Sequence, residues 1–201
     1  MKHSVGHAIL VGAMAVACTG TMAGAQQKGF ALSSTTFKDD QLMPVKVGNS
    51  RANDPQNPNC IGENVSPQLS WLNPPAGTKS FALLMTDPEG HGGAGVNHWV
   101  AYGIAPDVTG FAEGEVSKPS SKYVGGTSRQ GVGYFSGPCA PASTQPRHYM
   151  FLLIATDFAP NELPPGLTKE ELTAKIAPPE PAPRREKGSA WMFGLFLKPA
   201  N

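Results

Sequence analysis

The sequence predicts a single mainly-β domain in which two sheets pack against each other. Glycine (23 residues) and proline (20 residues) are frequent among the 201 residues, and only 15% of the chain is charged. This composition disfavours long helices, bundles and coiled coils. The apolar residues occur in short runs that are rich in β-branched and aromatic side chains and are separated by turn signals, which is typical of strands. No internal repeat is visible, so the fold is expected to be one domain.

The predicted strands are residues 30–32, 69–72, 81–86, 98–104, 149–156 and 191–197. One segment, residues 168–177, is predicted to be a helix. Thr168 and Glu171 have the spacing of a capping box, and Leu172 and Ile176 share one helical face. The helix ends at a proline-rich run, which we interpret, together with the charged residues up to 188, as an extended linker within the domain.

The N-terminus has the pattern of a secretory signal peptide. Lys2 precedes an uncharged apolar stretch at residues 8–17, and small residues occupy positions 23–25. Cleavage near Ala25 would leave a domain of residues 26–201 in the periplasm or outside the cell. The alternative is a lipoprotein, because residues 15–18 resemble a lipoprotein box that ends at Cys18.

The charge balance argues against two classes of binding partner, and the cysteines predict a disulfide. Lysine and arginine (16) nearly balance aspartate and glutamate (15), which argues against a nucleic-acid partner and against a polybasic membrane-binding protein. Beyond the predicted signal peptide two cysteines remain, Cys60 and Cys139. In an oxidising compartment they are predicted to form a disulfide that closes a long loop. The alternative is two unpaired, buried thiols.

Three histidines remain after the signal segment. His98 and His148 each precede an aromatic residue in a predicted strand, and His91 lies in a glycine-rich loop. Any one of them alone is consistent with a structural histidine whose ring nitrogens are satisfied. Asp87 and Glu89, separated by Pro88, directly follow a predicted strand and present carboxylates on one short loop.

Several familiar catalytic and binding motifs are absent from the sequence or lack the neighbouring element that they need. Residues 90–95 match the G-x-G-x-x-G pattern, but a predicted strand follows them where a dinucleotide site needs a helix. The chain has no G-x-S-x-G nucleophile elbow. It also lacks H-E-x-x-H and C-x-x-C, so we expect neither a metal nor a cofactor.

A set of motifs in one order is more specific: GENVSPQLSW (62–71), PAGTKS (75–80), DPE (87–89), NHWV (97–100), GPC (137–139) and HYMF (148–151). In these motifs the chain resembles the phosphatidylethanolamine-binding protein (PEBP) family, in its bacterial Raf-kinase-inhibitor-like branch, from about residue 30 to residue 177. The resemblance implies a β-sandwich with one or two short peripheral helices. It also implies a pocket at one end of the sandwich that binds phosphate-like anions and phospholipid head groups.

The resemblance also implies a set of site residues. Its predicted ligand-binding residues are Asp87, Pro88, Glu89, His98, Gly137, Pro138, Arg147, His148 and Tyr149. In this set His98 and Tyr149 would donate to an anionic oxygen, Gly137 would expose its backbone N–H, and Asp87 would orient a histidine or bind an amine. The chain departs from the family where Arg147-His148-Tyr149 replaces His-Arg-Tyr, and Arg147 would then supply a bidentate phosphate contact.

Three functions are compatible with these residues. The first is an exported protein that binds a phosphate-bearing or other small anionic ligand without turnover and has no catalytic residue. The second is an inhibitor or scaffold of an envelope protease, kinase or other protein, with the pocket or loop 90–95 as the contact surface. The third is a hydrolase in which His98 and Asp87 act together as a general base. This function is disfavoured because no activated nucleophile accompanies the two residues.

Overall fold

The computed structural model describes residue 1 and residues 29–198. Apart from Met1, the predicted signal peptide lies outside the described residues, as does Cys18. None of the helices in the described part of the chain has the length and apolar character needed to cross a bilayer.

Strands in these residues form two sheets, which confirms the mainly-β prediction. Their bounds are β1 Ala31–Ser33, β2 Gln41–Leu42, β3 Leu69–Leu72, β4 Ser80–Asp87, β5 Val96–Ile104, β6 Gly110–Phe111, β7 Val124–Gly125, β8 Arg147–Thr156 and β9 Glu186–Phe196. The smaller sheet has the order β1-β3-β6, and the larger has the order β2-β9-β8-β4-β5-β7. Strands β2 and β9 are parallel, whereas the other pairs are antiparallel.

Strand β4 lies inside the larger sheet and is buried on both faces. Phe81, Leu83 and Met85 alternate toward the core between the sheets. Ala82 and Leu84 point the other way, into a second cluster under the longer helix. The two clusters explain why this run is continuously apolar in sequence, since both of its faces are covered.

Helix α2 (Lys169–Ile176) covers the outer face of the larger sheet, and α1 (Gly90–Gly93) is a single irregular turn. The predicted capping box is present. The Thr168 hydroxyl accepts from the Glu171 N–H at 3.2 Å, and the Glu171 carboxylate accepts from the Thr168 N–H at 2.9 Å. Leu172 and Ile176 are buried against the sheet, as their spacing predicts.

The predicted linker at residues 178–188 is wrong in its charged half. Strand β9 already begins at Glu186 and pairs with β8. Arg185 packs 3.9 Å over the Phe158 ring, donates to Asp157, and donates to Glu162 at 3.1 Å. These charged residues have partners in the fold, which their sequence pattern alone does not reveal.

Candidate functional site

A cavity of about 260 Å³ opens at the end of the sandwich where β4 ends and β5 and β8 begin. These ends meet because β4 is antiparallel to both neighbours. The lining residues are Asn57, Asn59, Asp87, Gly90, His91, Val96, His98, Arg129, Cys139, Ala140, Pro141, Arg147 and Tyr149. Four of the nine predicted site residues are among them: Asp87, His98, Arg147 and Tyr149.

Asp87 ends β4 and continues the inward alternation of that strand. Its side chain is only 5% exposed. The Oδ2 atom accepts from Arg147 Nη1 at 3.0 Å, and Oδ1 accepts from the Glu89 N–H at 2.9 Å. The predicted role of Asp87 in orienting a histidine is not what the structure shows, since its hydrogen bonds go to Arg147 and Glu89.

His98 reaches the cavity through a β-bulge. Met85 is opposite Trp99 and Thr86 is opposite Asn97, so His98 is the extra residue in β5. Its side chain is buried, and Nδ1 lies 2.9 Å from the Ser136 carbonyl oxygen. Because a carbonyl oxygen only accepts, Nδ1 carries the hydrogen. The tautomer of His98 is thereby fixed.

The electrostatic surroundings of His98 decide its charge. The pKa of His98 is lowered to about 4, chiefly by burial. The Ser136 and Gly137 carbonyls and the charge of Asp87 raise this pKa, whereas the positive charge of Arg129 lowers it. At neutral pH the ring is therefore uncharged, and Nε2 is an acceptor. The prediction that His98 donates to an anion needs this correction: at neutral pH it accepts.

Strand alternation separates the residues at the start of β8. Arg147 and Tyr149 line the cavity, whereas His148 points to the opposite face and contacts Glu89 at 2.7 Å. Arg147 therefore holds the position toward the cavity, and His148 does not. Burial raises the pKa of Tyr149, so its hydroxyl keeps its proton and can donate.

Gly137 and Pro138 shape the site from behind the cavity wall. A Cβ on Gly137 would lie 2.0 Å from the Val47 carbonyl oxygen, so the glycine allows close approach of a neighbouring loop. Its N–H donates to Asn64 Oδ1 at 2.8 Å and is not available to a ligand, contrary to the prediction. Pro138 accepts from the Asn49 N–H at 2.8 Å.

The predicted disulfide between Cys60 and Cys139 is present. It joins the loop that carries Asn57 and Asn59 to the segment that carries Ala140, and all three residues line the cavity. Residues 50–59 contribute no buried side chain. This wall is attached by the disulfide, by a hydrogen bond from Gln130 to Asp54, and by hydrogen bonds from Lys198 to Pro58 and Asn59.

The sequence did not indicate Arg129. It lies in the loop after β7, lines the cavity, and has no ion-pair partner among residues 29–198. No local pattern marks it, because its placement depends on where a distant loop folds back. Asn57 and Asn59 could have been found from the sequence, since they are close to Cys60, whose predicted partner lies in the G-P turn motif.

Comparison with known proteins identifies the family to which this chain belongs. The sequence model named "Phosphatidylethanolamine-binding protein" matches residues 33–180. The chain belongs to the phosphatidylethanolamine-binding protein family. Among PEBP relatives, the protein named "Putative lipoprotein LppC" of Mycobacterium tuberculosis is 34% identical over 165 residues, which are 82% of this chain and 71% of LppC.

One further relative supports the family, and two solved structures support the fold. A UPF0098 protein of Methanothermobacter thermautotrophicus is 36% identical, covering 75% of this chain and 94% of its own. The crystal structure of Escherichia coli YbcL, described as a member of the mammalian PEBP family, has a TM-score of 0.71 at 23% identity and covers 85% of this chain and 99% of YbcL. That of CT736 of Chlamydia trachomatis has a TM-score of 0.67 at 25% identity, with 85% and 98% covered. The PEBP sandwich predicted from the motifs is confirmed.

Proposed function

We propose that this PEBP-family protein binds a phosphate-bearing or other small anionic ligand in the cavity at the end of the sandwich, without turnover. The observation that carries the proposal is the presence of two guanidinium groups, Arg129 and Arg147, on the wall of one cavity. Guanidinium groups bind phosphate and carboxylate oxygens with strong, directional hydrogen bonds.

Further donors surround the two arginines. The Tyr149 hydroxyl has no partner in residues 29–198, and it is not among the enclosed polar atoms, so it is open to the cavity. Asn57 Oδ1 accepts from the Asn59 N–H at 3.0 Å, and Asn59 Oδ1 accepts from Lys198 Nζ at 2.9 Å. The NH₂ groups of both asparagines are therefore left for a ligand.

The charge balance favours an anion of modest charge. Arg129 and Arg147 each contribute +1, Asp87 contributes −1, and His98 is neutral at pH 7, which leaves these four groups at +1. The whole chain is nearly neutral, so affinity has to come from these local donors rather than from the field of the protein.

Binding without turnover is supported by the arrangement of the two residues that a hydrolase would use. For the two residues to act together as a general base, His98 has to be hydrogen-bonded to Asp87. Instead, His98 Nδ1 donates to the Ser136 carbonyl. The Asp87 carboxylate accepts from the Arg147 side chain and the Glu89 N–H. Neither residue is arranged to activate the other.

Calorimetric titration with inorganic phosphate tests the proposal. We expect saturable binding that weakens at least about tenfold in Arg129→Ala, because one charge-assisted contact is worth roughly 1.5–3 kcal/mol. The matched control is Arg184→Ala, which removes the same charge from the other end of β8 and β9 and should leave affinity unchanged. Absence of detectable binding at millimolar phosphate, or equal losses in the two variants, would contradict the proposal.

We further propose that the protein acts in the cell envelope or outside the cell. The N-terminal pattern supports this, and a relative that is named as a lipoprotein is compatible with it. Mass spectrometry of the protein from fractionated cells distinguishes the outcomes. An N-terminus at Gln26 indicates cleavage and release, and an acylated Cys18 indicates anchoring. An intact Met1 in a cytoplasmic fraction would refute export.

A further inference from the structure

His98 differs in character from the cavity groups that surround it. Arg129, Arg147, Tyr149 and the asparagine amides can all donate hydrogen bonds to an anion. His98 Nδ1 donates its hydrogen to the Ser136 carbonyl. Nε2 therefore carries a lone pair and can only accept a hydrogen bond. A fully deprotonated anion has only acceptors, and its oxygen would meet that lone pair without a hydrogen between them.

Nε2 is open to the ligand space. The enclosed polar side-chain atoms without a partner, within residues 29–198, are Trp71 Nε1, Trp99 Nε1 and the Tyr123 hydroxyl. His98 Nε2 has no partner in the same residues either, yet it is not one of these enclosed atoms. Since His98 lines the cavity, Nε2 faces the cavity.

The titratable and charged groups that line the cavity around His98 come from several elements. Asp87 lies at the end of β4, Arg147 and Tyr149 at the start of β8, Arg129 in the loop after β7, and His91 in α1. The Tyr149 ring stands edge-on to the imidazole, with ring centroids 5.2 Å apart. The only carboxylate of this set, that of Asp87, is already paired with Arg147. None of these groups is a free carboxylate that could stabilise the protonated, charged imidazole. The lowered pKa of His98 agrees with this.

From this arrangement, and on the basis of the proposed function, we propose that the cavity selects singly charged tetrahedral anions that carry their own hydrogen-bond donor. The chemical class is the phosphate monoester monoanion, whose P–OH group donates to His98 Nε2 while its other oxygens accept from the arginines, Tyr149 and the asparagines. An anion that lacks the hydroxyl leaves the imidazole acceptor unpaired, and a polar site discriminates strongly against such an analogue.

Three small anions of equal charge distinguish the effect of the P–OH donor from the effects of shape and charge. At pH 5.0, monomethyl phosphate is mainly the monoanion with one P–OH, because the second pKa of a phosphate monoester is about 6. Methyl sulfate has the same shape and charge but no proton. Dimethyl phosphate keeps the phosphoryl oxygens and replaces the hydroxyl with a methoxy group. Titrations in a cationic buffer avoid competing anions.

The wild-type protein should bind monomethyl phosphate at least about tenfold more tightly than either comparison anion, which corresponds to roughly 1.4 kcal/mol or more. In His98→Asn, which keeps a donor near Nδ1 and removes the Nε2 acceptor, the preference should fall to about twofold or less. Arg129→Ala is the control: it should weaken all three anions and leave the preference intact.

Each outcome has one meaning. Equal affinities of the wild-type protein for the three anions overturn the inference and leave the proposed anion site standing. A preference that persists undiminished in a folded His98→Asn overturns the assignment to His98. If His98→Asn does not fold, the imidazole ¹⁵N resonance of Nε2 in the wild-type protein decides. It should shift on adding monomethyl phosphate but not methyl sulfate, and an unchanged Nε2 resonance at saturation overturns the proposal. Failure of all three anions to bind refutes the proposed function itself.

Discussion

The buried imidazole of His98 makes the stability of the protein depend on pH in a defined direction. Its pKa is lowered from 6.5 to about 4 in the folded protein, chiefly by burial. Between these two pH values the unfolded chain binds a proton on this histidine that the folded protein does not. The contribution of His98 is therefore fully present above pH 6.5 and is lost as the pH falls toward 4.

The magnitude follows from the two pKa values. A pKa difference of about 2.5, at about 1.4 kcal/mol for each pH unit, amounts to about 3.5 kcal/mol in full. Roughly 3 kcal/mol of this is lost between pH 7 and pH 4, because at pH 4 the folded histidine is half protonated. Because His98 is only 2% exposed, solvent screening does not reduce this figure much. For a domain of this size such a loss is a large part of the total stability.

Urea denaturation in phosphate-free buffers from pH 4 to pH 7.5 measures the effect. The wild-type protein should lose roughly 3 kcal/mol more free energy of unfolding over this range than His98→Asn, whose remaining titratable groups are the same. The control is Trp191→Phe, because Trp191 is exposed on the outer face and carries no titratable group, so this variant should keep the wild-type pH profile. Parallel profiles for the wild-type protein and His98→Asn would refute the reasoning.

Other predictions concern the framework of the cavity and use the free energy of unfolding in urea. Replacing Cys60 and Cys139 together by alanine should cost about 4 kcal/mol, because the disulfide spans 79 residues; a loss below about 1 kcal/mol would contradict this. Gly137→Ala should cost about 3 kcal/mol, since the added methyl meets a carbonyl oxygen at 2.0 Å, and wild-type stability would contradict that packing. Arg147→Met should cost about 3 kcal/mol by leaving the Asp87 carboxylate buried without a cation, and Asp87→Asn in that background should restore part of the loss. No recovery in the double variant would show that the pair is not coupled.

Local patterns in the sequence were sufficient for most of the fold. The apolar runs predicted the strands because each is bounded by turn residues, and the capping residues Thr168 and Glu171 predicted the start of α2. The charged residues after the proline-rich run have the pattern of a linker, but strand β9 begins among them. Their partners, such as Asp157 for Arg185, are distant in sequence and are brought together only by strand pairing.

The candidate site was predictable where it depends on strands and unpredictable where it depends on loops. Asp87, His98, Arg147 and Tyr149 line the cavity as the motifs indicated. The direction in which His148 points follows from the two-residue period of β8, once the strand is known to begin at Arg147.

The remaining errors have physical causes that no motif records. The G-P motif predicts that the Gly137 N–H faces a ligand, but this N–H donates to the Asn64 side chain. The role of His98 as an acceptor depends on burial and on a carbonyl 38 residues away in the chain. Arg129 enters the cavity from a loop whose path is set by backbone hydrogen bonds to β5 and to the segment before α2.

The proposed anion site in the cavity at the end of the sandwich is central to the function of this protein. Titration of the ¹⁵N-labelled protein with inorganic phosphate, followed by NMR, tests this residue by residue. We expect saturable shifts at Arg129, Asn57 and the His98 ring. The indole of Trp191, which is exposed on the outer face of the larger sheet, should not shift. Saturable shifts that avoid the cavity, or none at millimolar phosphate, would contradict the proposed site.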